Sequence, residues 1–445
     1  MSVRFDDPNL VSHAGLVPVM RLAETAGMPG LADDLVTLGT TAGSNAGAKV
    51  ASIVAGMVAG ADSIDDLDVV RHGALPRLFT GIRAPSTLGT FLRDFTIGHV
   101  AQLEKMANQV LGNLVELAPV LPEVDAVAFL DIDSKITQVY GPGKEGAAFG
   151  YTRVRGLNYL GACLSSPLSA PVITGTRLRG GNADTRKNAT SFVTKNLKTA
   201  RDQCGATGKL LVRMDSGYYV GEILAAIRDA GAWFSVTAQQ NPSVRAAITA
   251  IPDTAWKTIT YATPIYDQDT EQWVSSAQIA ETGYTAFTNA TTNGQFITAR
   301  LIIRRVKKTS SETTGELFNV YRYQAVFTNS PFDPVTAETR HRDRAGTIEA
   351  VFADLNNSAL AHFPSGRFAA NAAWLTLAAL THNLLRAAGS LASTFHTKAR
   401  TTTLRRHLIA VAARTARSAR KTVLHLPEHW PWRDSLNGLF TATHP

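Results

Sequence analysis

The chain has 445 residues, of which 45% are hydrophobic and 18% charged, with a net charge of +8. That length can bury a large core and points to more than one domain. The composition excludes a disordered or fibrous chain. Two cysteines, Cys163 and Cys204, stand far apart with no metal-binding pattern around them, so reduced thiols without a nucleophilic role are expected.

Residues 1–10 carry charges where a signal peptide needs an apolar run, which predicts a cytoplasmic protein. The most apolar stretch, 368–388, is interrupted by Asn371, Thr376, His382 and Asn383. A membrane span needs about 20 nearly unbroken apolar residues, so a buried helix is expected there and no membrane partner.

In chain order, residues 1–120 read as a helical domain. The segment 48–59 is small and apolar, 60–62 marks a turn, 63–70 opens with Ser followed by Asp residues in a capping pattern, and 87–114 keeps helical periodicity. A DNA-reading helix-turn-helix and a plain helical hairpin both fit this pattern. Residues 126–140, AVAFLDIDSKITQVY, alternate and are rich in β-branched residues, the pattern of a long strand. Strands follow at 158–164 and 171–177, then a helix at about 184–203 capped by Asn182 or Asp184. A strand at 209–214 ends on Asp215, a helix at 220–230 is stopped by Gly231, and 232–237 is one more strand. Three successive strands are most simply antiparallel, and the later strand–helix alternation implies parallel crossovers. The predicted fold class is therefore α/β, with the strand order of an RNase H-like mixed sheet whose first and fourth strands lie side by side.

Residues 239–340 delay the next core helix. They look β-rich: 296–306 and 317–328 alternate like a hairpin around the polar turn 309–315. Helical periodicity resumes at Ala345. The expected organisation is a helical N-terminal domain for DNA ends (1–120), the first part of the RNase H-like core (121–238), a β-rich insertion (239–340), the last core helices with the final acid (341–395) and a basic C-terminal segment (396–445). The segment 405–411 with 419–426 reads as a basic hairpin, with helix as the alternative.

Residues 355–427 contain no Asp or Glu but ten Lys or Arg, among them Arg405, Arg406, Arg414, Arg417, Arg420 and Lys421. Such a segment suits a phosphate backbone, because each cation releases condensed counterions on contact. The alternative is a solvated face that happens to lack acids.

Asp131 and Asp133 are two apart on the first strand and so share a face. Asp215 ends the fourth strand and Glu349 lies on the delayed helix. A single Asp at a strand end is ordinarily a cap; acids on three elements that the fold brings together suit a hard cation such as Mg²⁺, which takes oxygen ligands. Such ions clamp the attacking and leaving oxygens of an in-line phosphoryl displacement.

The blocks FLDIDSK (129–135), LLVRMDSGYY (210–219) and HRDRAGTIEAVFADL (341–355) resemble the signature blocks of DDE transposases from bacterial insertion sequences, over roughly 126–385. The resemblance implies Asp133, Asp215 and Glu349 as a catalytic and metal-binding triad, Mg²⁺ as cofactor with Mn²⁺ able to substitute, and Asp131 as a competing ligand. It also implies terminal inverted repeats and target DNA as partners, and a homodimer in the synaptic complex. The family's last block commonly runs Tyr, Arg, Glu, Lys; here His341, Arg342 and Arg344 precede Glu349, and Asn356 stands seven residues beyond it instead of Lys. His341, Arg342 and Arg344 are candidate DNA contacts, with an ion pair to Asp343 or Glu338 as the alternative for the arginines. Trp256 and Trp273 are candidates for stacking a flipped base, against core packing.

Two further enzymatic or binding readings compete: a stand-alone nuclease of the same fold, and a catalytically silent DNA-binding descendant of a transposase. The GxGxxG match at 141–146 does not open a helix, so a dinucleotide site is set aside. No paired His spacing for zinc and no P-loop pattern is present.

Overall fold

The computed structural model describes residues 1–150, 152–267, 272–288, 296–307, 321–418 and 421–444. Its N-terminal part is helical: α1 (Leu16–Thr25), α2 (Met28–Leu35), α3 (Ala46–Ala59), α4 (Pro85–Arg93) and α5 (Ile97–Leu117). The stretch expected as one helical run at 87–114 is two helices. They break at Thr96, whose side chain accepts from the His99 backbone N–H while the His99 ring accepts from the Thr96 N–H.

The core follows as β1 (Val127–Gln138), β2 (Arg155–Ser165), β3 (Val172–Gly180), α6 (Ala189–Asp202), β4 (Lys209–Met214), α7 (Gly221–Asp229) and β5 (Trp233–Thr237). β1 pairs antiparallel with β2, β2 antiparallel with β3, β1 parallel with β4, and β4 parallel with β5. This is the RNase H-like order that the sequence predicted. The predicted start of α6 was too early: Asp184 instead closes a turn by accepting from the Arg186 backbone N–H, and the helix begins after Asn188.

The β-rich stretch supplies β6 (Lys257–Asp267), β7 (Gln272–Ala286), β8 (Ile297–Lys307) and β9 (Tyr321–Thr328). These strands do not make a sheet of their own. β9 pairs antiparallel with β5, so the order runs β3-β2-β1-β4-β5-β9-β8-β7-β6 as one continuous sheet. The first two of them carry little alternation in sequence, and the turn expected at 309–315 lies outside the described residues.

α8 (Pro334–Asn356) begins well before the Ala345 at which periodicity becomes visible. Asp333 caps it by accepting from the N–H groups of Val335 and Thr336, with Pro334 at the first helical position. α9 (Phe368–Ala392) is the buried helix expected from the apolar stretch; it lies between β3 on one side and α3 and α5 on the other, which is why it is apolar nearly all round. Asn383 interrupts that run for a reason, since its amide accepts from the Ile173 N–H and donates to the Ile173 carbonyl, both at 2.8 Å, pinning α9 to the edge strand. No helix among the described residues is long and apolar enough to cross a membrane.

Near the C-terminus, 405–409 is a short helical turn, and the hairpin lies further on, as β10 (Ala413–Ser418) and β11 (Lys421–His425). β10 also pairs with Leu10–Val11, so the two ends of the chain meet in one small sheet. α10 (Arg433–Thr443) completes the chain.

Candidate active site

On β1 the even residues Ala128, Leu130 and Ile132 are fully buried in the main core, while Phe129, Asp131 and Asp133 face α8. α8 crosses that face of the sheet. His341 sits over β5, with its ring nitrogens 2.9 Å from the Ser235 and Thr237 hydroxyls. Phe352 meets Tyr159 on β2 edge to face, and Gly161 beside it leaves the room that the Phe352 ring fills.

Parallel pairing sets Asp131 opposite Arg213 and Ile132 opposite Met214, so one residue further on Asp133 stands level with Asp215. The two deeper residues form a buried ion pair. Arg213 donates through Nε and Nη2 to both Asp131 oxygens, at 2.6 and 2.7 Å, and through Nη1 to the Arg340 carbonyl on α8. Its guanidinium also lies 4.5 Å from the centre of the Phe129 ring. Asp131 has no exposed surface and both oxygens are taken. Asp133, by contrast, keeps 18% of its side chain exposed.

Asp133 accepts from the Ser134 N–H at 2.7 Å and from Arg344 Nη1 at 3.0 Å. Asp215 accepts from the Gly217 N–H at 3.0 Å, closing the turn Ser216–Tyr218. Burial, and then the charge of Asp133, push the Asp215 carboxyl above its usual range, with Arg344 pulling the other way. Tyr218 is buried beside the pair, and its phenol is raised by burial and then by Asp133 and Asp215. Two carboxylates that feel each other in a half-buried site are an arrangement that a cation relieves, so these two fit a divalent ion.

Glu349 does not join them. It is exposed on α8, and its carboxylate makes no hydrogen bond or ion pair with another described residue. Among the described residues no three His, Cys, Asp or Glu side chains stand close enough to share a metal. The helix position that reaches the acid pair is held by Arg344.

Of the candidate DNA contacts, His341 is buried, and burial holds its pKa down to about 3, so it is a neutral ring fastening α8 to β5. Arg342 pairs with the buried Glu338 at 3.2 Å, the ion-pair alternative foreseen for it, and lies 5.0 Å from the Tyr261 ring centre. Arg405 is turned inward and donates to the carbonyls of Met57 and Val58 at the end of α3. Arg406, Arg417 and Lys421 are exposed, Arg414 is exposed and paired with Asp7, and Arg420 lies outside the described residues.

A groove of about 1270 Å³ runs along α8, walled on the other side by β6 and β9 and the 238–240 turn. Arg340, Arg342 and Arg344 all line it, and Arg344 ties it to Asp133. Arg340, stacked on Phe129 at 5.1 Å, was missed by sequence reasoning; its spacing of four from Arg344 on a helix was the available signal. Trp273 is 70% exposed beside Tyr266, whereas Trp256 is buried beneath Arg305.

An RNase H-like sheet with acids level on its first and fourth strands is the framework that the resemblance to DDE transposases implied. The chain matches the family described as transposase DDE domain group 1 over residues 1–444, and it belongs to that family. Among solved structures it is similar to a piggyBac transposase synaptic complex with hairpin DNA, with 10% identity, a TM-score of 0.41, and coverage of 88% of this chain and 79% of that one. No match was found among curated proteins.

Proposed function

We propose that this chain is the transposase of a bacterial insertion sequence, cutting the element out at its terminal inverted repeats and joining it to target DNA. The observation that carries this reading is the level pair Asp133 and Asp215 on adjacent parallel strands, in a chain that matches a transposase family along nearly its whole length. Asp133 and Asp215 would hold Mg²⁺ or Mn²⁺, with Glu349 as the third acid on the strength of the resemblance. When bound, the ion supplies activation of a water or 3′-hydroxyl and neutralises charge at the phosphorus.

The chain's own residues have definite parts in this reading. Asp131 and Arg213 hold β1, β4 and α8 in register. Ser134 and Gly217 N–H groups orient the two carboxylates. Arg340 and Arg344 offer planar guanidinium groups to phosphates along the groove. Arg406, Arg417 and Lys421 offer further backbone contacts, and Trp273 offers an exposed ring to an unpaired base. Two ends cut together call for a homodimer.

The position of Glu349, apart from the other two acids, favours a second reading: a DNA-binding descendant that no longer cuts. Cleavage of a duplex carrying the element's end in Mg²⁺ separates the two. Under the first reading wild type cuts, while Asp133→Asn and Asp215→Asn bind the end but cut at least about a hundredfold more slowly, since even indirect support of a metal is worth 10–100-fold. Binding without cutting by wild type establishes the silent reading, and undiminished cutting by both variants rules out this site.

A further inference from the structure

The helical N-terminal part holds a second basic feature, whose lining shares no residue with the groove along α8. A cleft of about 460 Å³ lies between the 41–45 turn and α4. Thr41, Ser44, Lys49, Arg83, Ser86 and Thr87 line it, and no Asp or Glu does.

Lys49, on α3, is only 5% exposed. Its ammonium donates to the carbonyls of Ala42 and Ser44 and lies 5.5 Å from the Phe91 ring centre, and among the described residues it pairs with no carboxylate. Burying a charge without a counter-charge is costly. Arg83 adds a second cation: its backbone N–H is fixed by the Ser52 hydroxyl at 3.0 Å, and its Nε is buried without a hydrogen-bond partner. Burial and then the charge of Arg83 hold Lys49 below the usual lysine range, which places the two within electrostatic reach of each other. The carbonyl bonds of Lys49 fasten the turn, and a fastening role accounts for Lys49. It does not account for a second cation beside it, nor for the hydroxyl lining. Two like charges in a cleft of hydroxyls are relieved by an anion.

We propose that this cleft binds a backbone phosphate of duplex DNA. The assignment rests on the transposase reading above and adds a contact for the N-terminal part. Arg83 meets the phosphate with its guanidinium, Lys49 supplies a fixed charge behind it, and the Ser86 and Thr87 hydroxyls at the start of α4 donate to the remaining oxygens. Free inorganic phosphate has the same chemistry, so the test includes it.

The experiment is anisotropy of a labelled duplex with the full chain across a KCl series, for wild type, Arg83→Gln, Arg83→Lys and Thr87→Glu. Each phosphate contact contributes about one unit to the slope of log affinity against log salt. Arg83→Gln is expected to weaken binding and lower the slope by about one unit, with Arg83→Lys keeping it. Thr87→Glu is expected to weaken binding while its melting temperature holds, since an acid in the first turn of a helix is favourable; it decides the matter even if Arg83→Gln folds poorly. Wild-type slopes for both variants would overturn the assignment, as would stabilisation of wild type by inorganic phosphate together with unchanged slopes. A wild type that binds no duplex would instead bring down the transposase reading itself.

Discussion

Asp131 and Asp133 stand two residues apart on one strand, yet their surroundings give them different chemistry. Asp131 is enclosed and has both oxygens taken by Arg213, whereas Asp133 keeps part of its surface and faces Asp215. Asp215 carries the pH signature of the pair. Its folded pKa is raised by burial and by Asp133, so its contribution to stability is present at low pH and is lost as pH rises through the raised value. Without metal, the melting temperature should therefore fall across the window just above the ordinary carboxylate range, and Asp215→Asn should flatten that fall. At neutral pH Mn²⁺ should raise the melting temperature of wild type but not of Asp215→Asn, because a ligand that binds only the folded state stabilises it. Calorimetry with and without Mn²⁺ checks both; equal stabilisation of the variant would mean that the ion binds elsewhere.

At the scale of elements, α8 decides the site. Its inner face is unusually polar, with Glu338, His341 and Asp354 buried beside Ile348, Val351 and Leu355. Each polar group is held in place: Glu338 by Arg342 one turn along α8 and by Arg304 of β8, His341 by β5, and Asp354 by the N–H and hydroxyl of Thr401. Arg213 joins in by linking β1, β4 and the α8 backbone at once. Breaking such a buried pair by removing one partner costs about 3–5 kcal/mol. Asp131→Ala should accordingly lower stability by that order in denaturant melts. Asp133→Asn, at the less enclosed end of the same face and able to keep a hydrogen bond to Arg344, should cost less than Asp131→Ala. A reversed ranking would show that the two aspartates have exchanged roles.

At the scale of the molecule, the basic residues of the C-terminal part divide by burial. Arg405 is used up in tying 405–409 to the end of α3, while Arg406, Arg417 and Lys421 remain exposed. Joint replacement of these three by Ala should lower the salt slope of duplex binding by up to about three units with little change in melting temperature. Arg405→Ala should do the opposite, reducing stability and sparing the slope. Equal slopes for the triple variant and wild type would remove this face from the DNA interface.

Much of this architecture was legible in the chain alone. Alternation marked β1, a short apolar run marked β4, a long one marked α9, and strand–helix order marked the core, because burial writes itself directly into residue spacing. The acids Asp133 and Asp215 could be placed for the same reason: the first lies within a readable strand and the second follows one. What spacing could not decide was what meets what across the sheet. The start of α8 was hidden because its buried side chains are polar and partnered by distant elements, and β6 and β7 because much of their surface is exposed and polar. That the β-rich stretch extends the core sheet through β5 and β9, that Arg213 takes Asp131, that Arg344 rather than Glu349 reaches Asp133, and that His341 is neutral are all set by contacts between residues 82 to 211 positions apart. Desolvation and pairing over such separations depend on the folded whole, and no local pattern in the sequence records them.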